Sequence, residues 1–293
     1  MKEVSCLKLW TATVILALLA VALTGTARGQ RAIPDDNLAY PVLVQLQGSE
    51  ASGFYLNTTT AVYFVTAKHV LFSPSTNLLL GPQAILLSYP RDPKGAGKNV
   101  VSLDLVALSK AGEVSPHPKE DVVVVRIAKI TEGTPPEGVK GRVIAALPGV
   151  AFQQSTASGL LGVSLDSVKK YDDVLVANDV IVFGYPTSLG LQQIPQLDRL
   201  RPLLRRGIVA GLNPATKSLI IDCPAYPGNS GGPVLEIDHT TFNSTFKLIG
   251  VVREFVPFAE KSVNLPFGYE NTNLSNSGYT VVTPMDSVLE LVK

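Results

Sequence analysis

Gly228-Asn229-Ser230-Gly231-Gly232-Pro233 sets one serine among three glycines. Glycine reaches backbone conformations and close approaches that a side chain blocks, so this run can turn sharply with its hydroxyl presented and its N–H groups unused. That suits a nucleophile. Ser230 attacks, and the backbone N–H groups of Gly228 and Ser230 form an oxyanion hole, each donor worth about 3 kcal/mol in the transition state. The stretch also decides the fold, because a Gly-x-Ser-x-Gly run can be a strand-to-helix elbow in an α/β sheet or a loop between strands of an all-β chain.

Chain order separates the two. The elbow architecture places its acid and histidine after the serine, yet the one later histidine is His239, and no strand-to-helix pattern surrounds Ser230. A serine hydroxyl needs a general base at neutral pH, and the chain has three histidines, His69, His117 and His239. His69 follows the apolar run 62–67 and precedes Val70 and Leu71, a setting that fixes an imidazole at the edge of a barrel. His117 lies between Pro116 and Pro118, and His239 sits in Asp238-His239-Thr240-Thr241. In such turn-like contexts a solvated histidine is the ordinary outcome. His69 is therefore the expected base. Asp121 directly precedes Val122-Val123-Val124-Val125 and is the expected acid, holding the imidazole tautomer. Its competitor is Asp104, which alternates with Leu103 and Leu105 as an outward-facing strand residue does.

The rest of the chain supports an all-β architecture. Short runs rich in Val, Ile, Leu and Thr are punctuated by Gly, Pro, Asn and Ser, without a sustained 3.6-residue period. Strands are predicted over 41–47, 53–56, 61–66, 84–88, 100–108, 122–128, 179–183, 206–212, 217–222, 232–237, 246–252 and 279–283, enough for two small barrels or a sandwich. Segments 90–99 and 131–142 read as loops, and 284–293 as a short closing helix.

Lys2 and Lys8 precede an uncharged apolar run over 9–23, and Ala27-Arg28-Gly29 offers small residues for cleavage before Gln30. Residues 1–29 thus read as a signal peptide, which implies a secreted or periplasmic protein; the apolar run falls short of the ~20 residues of a spanning helix. Of two cysteines only Cys223 survives such cleavage, so no internal disulfide is expected. A formal charge of +1 gives no reason to expect nucleic acid.

Thr66-Ala67-Lys68-His69-Val70, then Asp121-Val122-Val123-Val124-Val125, then the glycine-flanked Ser230 resemble the three signature blocks of the trypsin-like serine peptidases, in the same order. Phe183-Gly184-Tyr185-Pro186, the 228–233 block and Gly278-Tyr279-Thr280-Val281-Val282-Thr283-Pro284 look most like the disulfide-free, high-temperature-requirement branch of that family, here without its regulatory peptide-binding domain. The resemblance implies a chymotrypsin-like fold over 30–293. It has two perpendicular six-stranded barrels, about 40–130 and 145–285, with His69 and Asp121 from the first and Ser230 from the second. It implies a serine endopeptidase acting on protein or peptide, with no metal or organic cofactor. It also implies a pocket walled by 222–227 and 251–255, with Pro224, Ala225, Tyr226, Val252, Arg253 and Glu254 meeting substrate. Pro224 stands where trypsin carries its acidic specificity residue, which favours small or medium apolar side chains. Asn229 replaces the aspartate that trypsin uses in zymogen activation, so that activation route is not expected. The alternative is a peptidase fold kept as a catalytically silent binding or scaffold module.

Overall fold

The computed structural model describes residues 33, 38–89, 98–133, 141–154, 159–187, 194–239, 244–264 and 266–292. The signal segment 1–29 lies outside the described residues. Among the described residues no helix is long and apolar enough to cross a membrane.

The first half runs β1 (Pro41–Leu46), β2 (Ser49–Asn57), β3 (Ala61–Thr66), α1 (Lys68–Leu71), β4 (Gln83–Ser88), β5 (Asn99–Asp104), α2 (Leu105–Lys110), β6 (Val114–Pro116), β7 (Val123–Thr131), β8 (Val143–Ala146), β9 (Val150–Gln154) and β10 (Val163–Ser164). These strands form one ten-stranded sheet along the path β6-β7-β3-β2-β1-β4-β5-β9, with β8 on β7 and β10 on β2. The second half holds β11 (Asp179–Gly184), β12 (Leu203–Asn213), β13 (Ser218–Asp222), β14 (Pro233–His239), β15 (Ser244–Asn264), β16 (Tyr269–Pro284) and α3 (Met285–Leu289). Its six strands close into a barrel in the order β11-β12-β13-β16-β15-β14. The all-β fold with a short C-terminal helix agrees with the sequence. The first half carries ten strands where six were expected, because β6, β8, β9 and β10 are short additions too small to show a hydrophobic period.

Each half has its own core. All six residues of β3, Ala-Val-Tyr-Phe-Val-Thr, are buried, as β-branched and aromatic side chains are where both faces of a strand are covered. Phe64 meets Tyr55 edge to face at 6.4 Å within a cluster that includes Val42, Leu86, Leu103 and Val125. The second core gathers Val180, Val182, Ile221, Val234, Ile249 and Val282.

Two departures from the sequence reading have local causes. The strand predicted over 100–108 ends at Asp104, whose carboxylate accepts the Ala107 N–H at 2.9 Å and starts α2. Asp104 is both the last, outward-alternating residue of β5 and the cap of α2; Leu105 and Leu108 are then buried at helical spacing. The predicted 246–252 and 279–283 strands are the inner ends of a much longer hairpin, whose pairing continues outward to Asn264↔Tyr269. Along its outer part Phe258, Val263, Tyr269 and Leu274 are all exposed. With both faces in solvent, that part has no buried side to impose alternation.

Lys169 ties the connection between the halves to β14. Its ammonium lies 3.0 Å from Glu236, which is fully buried, and 2.8 Å from Asp238. Leu175 N–H and Asn178 Nδ2 donate to the other Glu236 oxygen. Burial alone would lower the Lys169 pKa, but its bonds to Asp238 and Glu236 outweigh that and hold it raised.

Candidate active site

The register of β3 against β7, with Thr66 opposite Val123, brings the residues just after one strand beside those just before the other. His69 lies in α1, whose buried Val70 and Leu71 fix it to the first core. Asp121 occupies the turn before β7. His69 N–H donates to Asp121 Oδ1 at 2.9 Å, and His69 Nδ1 lies 2.6 Å from Oδ2. One residue thus engages both oxygens of one carboxylate, fixing its distance and its plane. Burial pushes the Asp121 pKa up, but the His69 hydrogen bonds and charge, with the Arg253 charge, outweigh it and hold the carboxyl below its ordinary value. An ionised carboxylate only accepts, so Nδ1 carries the proton and Nε2 is left as the basic nitrogen.

Ser230 sits in a turn that requires glycine on both sides. Gly228 has φ +93° and Gly231 φ +85°. A Cβ at Gly228 would collide with the Tyr185 carbonyl, and one at Gly231 with Thr66 Oγ1 and the Ser52 carbonyl. Asn229 is buried and closes the turn from within: its N–H donates to the Tyr226 carbonyl at 2.9 Å and its Oδ1 accepts the Tyr226 N–H at 3.0 Å. No charge is needed to hold this loop.

Hydrogen bonds with Val252, Ser52, Thr187 and Arg253 fix the turn from outside. Gly231 N–H donates to the Val252 carbonyl and Val252 N–H to the Gly232 carbonyl, at 2.8 and 2.9 Å. Ser52 N–H, from β2, donates to the Ser230 carbonyl at 3.0 Å. Ser52 Oγ donates to the Gly228 carbonyl at 2.7 Å and accepts the Tyr185 N–H at 2.9 Å. Thr187 N–H donates to the Pro227 carbonyl at 2.8 Å, and because the peptide is trans the Gly228 N–H points to the opposite side. A shift in register between Val252 and Glu254 makes Arg253 the extra residue of a bulge in β15. Its carbonyl accepts the Ser230 hydroxyl at 3.3 Å.

His69, Asp121 and Ser230 line one cleft of about 640 Å³, with Ala225, Tyr226 and Pro227 on one wall and Val252, Arg253, Glu254 and Phe255 on another. Of the expected pocket residues, Pro224 is the exception and does not line the cleft. The wall is held from behind by residues the sequence did not single out: Thr280 Oγ1 donates to the Cys223 carbonyl at 2.6 Å and accepts the Ala225 N–H, and Asn276 Nδ2 donates to the Ala225 carbonyl. Arg253 pairs with Glu254 at 3.0 Å, which offsets the acidity Glu254 would otherwise bring to the cleft.

The remaining candidates are elsewhere engaged. His239 lies at the exposed end of β14, near Ser244 and Asp179. His117 is not solvated as expected: it is buried, and its ring bonds to Lys119 N, Glu120 N and Glu290. The arginines of 199–206 each have a partner of their own. Arg199 pairs with Glu50, Arg201 with Asp198, Arg206 with Asp179, and Arg205 lies over the Tyr226 ring. Cys223 is buried, and desolvation, reinforced by Asp222 against Arg205, pushes its thiol up to about 11. Among the described residues no group of three or more His, Cys, Asp or Glu could hold a metal ion.

An all-β pair of sheets presenting a serine, a histidine and an aspartate to one cleft defines a class, the serine peptidases. Residues 51–241 match the trypsin-like peptidase domain; the chain belongs to that family and is a serine endopeptidase. No curated protein sequence matches it. Similar solved structures include Deg5 (16% identity, 87% of this chain and 88% of that one, TM-score 0.47). A thermostable serine protease, AL20, from an extremophilic microorganism matches at 11% identity over 88% and 96%, TM-score 0.49. The HtrA-type protease AlgW with a tripeptide matches at 14% identity over 86% and 58%, TM-score 0.44.

Proposed function

We propose that the chain cleaves peptide bonds in polypeptides through an acyl-enzyme on Ser230. His69 Nε2 takes the hydroxyl proton as Ser230 Oγ leaves the Arg253 carbonyl and attacks the scissile carbon. Asp121 holds the ring and stabilises the imidazolium that forms. The oxyanion is received by the N–H groups of Gly228 and Ser230. His69 then gives its proton to the leaving amine, and a water, deprotonated by the same nitrogen, hydrolyses the ester. The observation that carries this reading is the two-point engagement of Asp121 by His69 in the cleft that also holds Ser230.

The side chain before the scissile bond enters beside Ala225, Tyr226 and Val252, and small or medium apolar residues fit there. Residues 1–29 direct export, and the mature protein starts at Gln30. Incubating mature protein and its Ser230→Ala variant with a mixed peptide library, and sequencing the products, tests the reading. Cleavage after small or medium apolar residues by the wild type alone supports it. Cleavage by both, or by neither, contradicts it, and cleavage after Lys or Arg overturns the pocket assignment.

A further inference from the structure

We infer that His117 is a positioning residue for Asp121, holding the acid-bearing turn through one neutral tautomer of its ring. His117 is the one buried residue among 117–121; Pro118 and Lys119 are exposed, and Glu120 and Asp121 are partly so. The turn therefore has little apolar packing of its own, and polar contacts must fix it.

The imidazole supplies them. Its Nδ1 receives the backbone N–H of Glu120 at 2.8 Å and of Lys119 at 3.2 Å. A nitrogen that accepts N–H bonds carries no proton, so the ring hydrogen is on Nε2, which donates to Glu290 Oε2 at 3.0 Å just after α3. The backbone closes the same loop: His117 N–H donates to the Val122 carbonyl at 2.9 Å. Lys68 Nζ donates to the His117 carbonyl at 3.2 Å. Lys68 and His69 are neighbours in α1, so this helix grips the turn at His117 through one residue and at Asp121 through the next. Pro118 restricts His117 to extended backbone, which pre-sets the loop. The charged groups around the ring are Glu290 from beyond α3, Lys68 from α1, and Lys119, Glu120 and Asp121 from the turn itself.

The consequence for the reaction is geometric. Asp121 contacts His69 through one donor on each oxygen, and a displacement near 1 Å in such a site costs about 10²-fold in rate. Without the ring, the Lys119 and Glu120 donors lose their acceptor and the turn relaxes.

The inference rests on the His69–Asp121 pair proposed above, and its test reads that pair with and without turnover. His117→Ala, His117→Asn and His117→Gln are compared for kcat and for the far-downfield proton resonance of His69 Nδ1–H. Asn places an amide oxygen near the position of Nδ1 and can accept the same backbone donors; Gln reaches toward Glu290 and leaves them unmet. The expected result is a kcat loss of about 10²-fold in His117→Ala and His117→Gln, with the downfield resonance broadened or lost. His117→Asn recovers most of both. Unchanged kcat and resonance in folded His117→Ala overturn the inference, as does equal loss in all three variants. Should His117→Ala fail to fold, the contrast between Asn and Gln decides alone. A wild type that never turns over but shows a His117-dependent resonance sinks the proposed activity and leaves the positioning role standing.

Discussion

The Ser52 hydroxyl reaches from the first sheet into the second half of the molecule and donates to the Gly228 carbonyl at 2.7 Å. The same oxygen accepts the Tyr185 N–H, so one buried hydroxyl satisfies a carbonyl of the turn that presents the nucleophile and an N–H just after β11. Ser52→Ala leaves both groups without their partner, which costs about 1–3 kcal/mol of stability. It also frees the Gly228 peptide, so kcat falls while KM changes little; urea unfolding and steady-state kinetics measure the two effects.

Gly228→Ala goes further, because φ +93° and the nearby Tyr185 carbonyl both exclude a side chain. The loop must move and take its N–H with it. A drop in kcat of about 10²–10³-fold is expected, the scale of losing one oxyanion donor. Wild-type kcat would place the oxyanion elsewhere.

Asp121→Asn preserves shape but removes the charge that sets the His69 tautomer, and kcat should fall by about 10⁴-fold. Asp104→Asn is the control. Its carboxylate caps α2, and asparagine caps nearly as well, so activity and stability should both remain within a few tenths of a kcal/mol of wild type. Kinetics of the two variants side by side distinguish the acids.

Because the native environment depresses the Asp121 pKa, the carboxylate contributes stability that is fully present above its unfolded value, ~3.9. That contribution is lost as pH falls through the lower folded value. The gap in urea midpoint between wild type and Asp121→Asn should therefore narrow steadily from about pH 5 toward pH 2. A gap that widens on acidification contradicts the ionised assignment.

Lys169→Met keeps the apolar stem and leaves Glu236 buried without its cation. A loss of about 3–5 kcal/mol in unfolding free energy is expected, with kcat of the folded fraction preserved.

The blocks around His69, Asp121 and Ser230 were legible because their chemistry is local: an unbroken apolar strand leads to the histidine, another follows the aspartate, and glycines flank the serine. Ser52 was not, since its partner is 176 residues away and a serine in a strand carries no signal of what it faces. His117 was misread for a related reason. Pro116 ends β6 and the chain bends from Pro118 on, but the ring is buried by tertiary contacts, among them Glu290, 173 residues on. Arg253 lies in a bulge, which shifts register without changing composition. The outer hairpin has no buried face, so its length left no periodic trace in the sequence.

The most direct measurement is reaction of the mature protein with a fluorophosphonate, followed by mass-spectrometric mapping of the adduct. One adduct is expected, on Ser230, absent in Ser230→Ala and strongly slowed in His69→Ala. A folded wild type that stays unlabelled, or an adduct on any other residue, would contradict it.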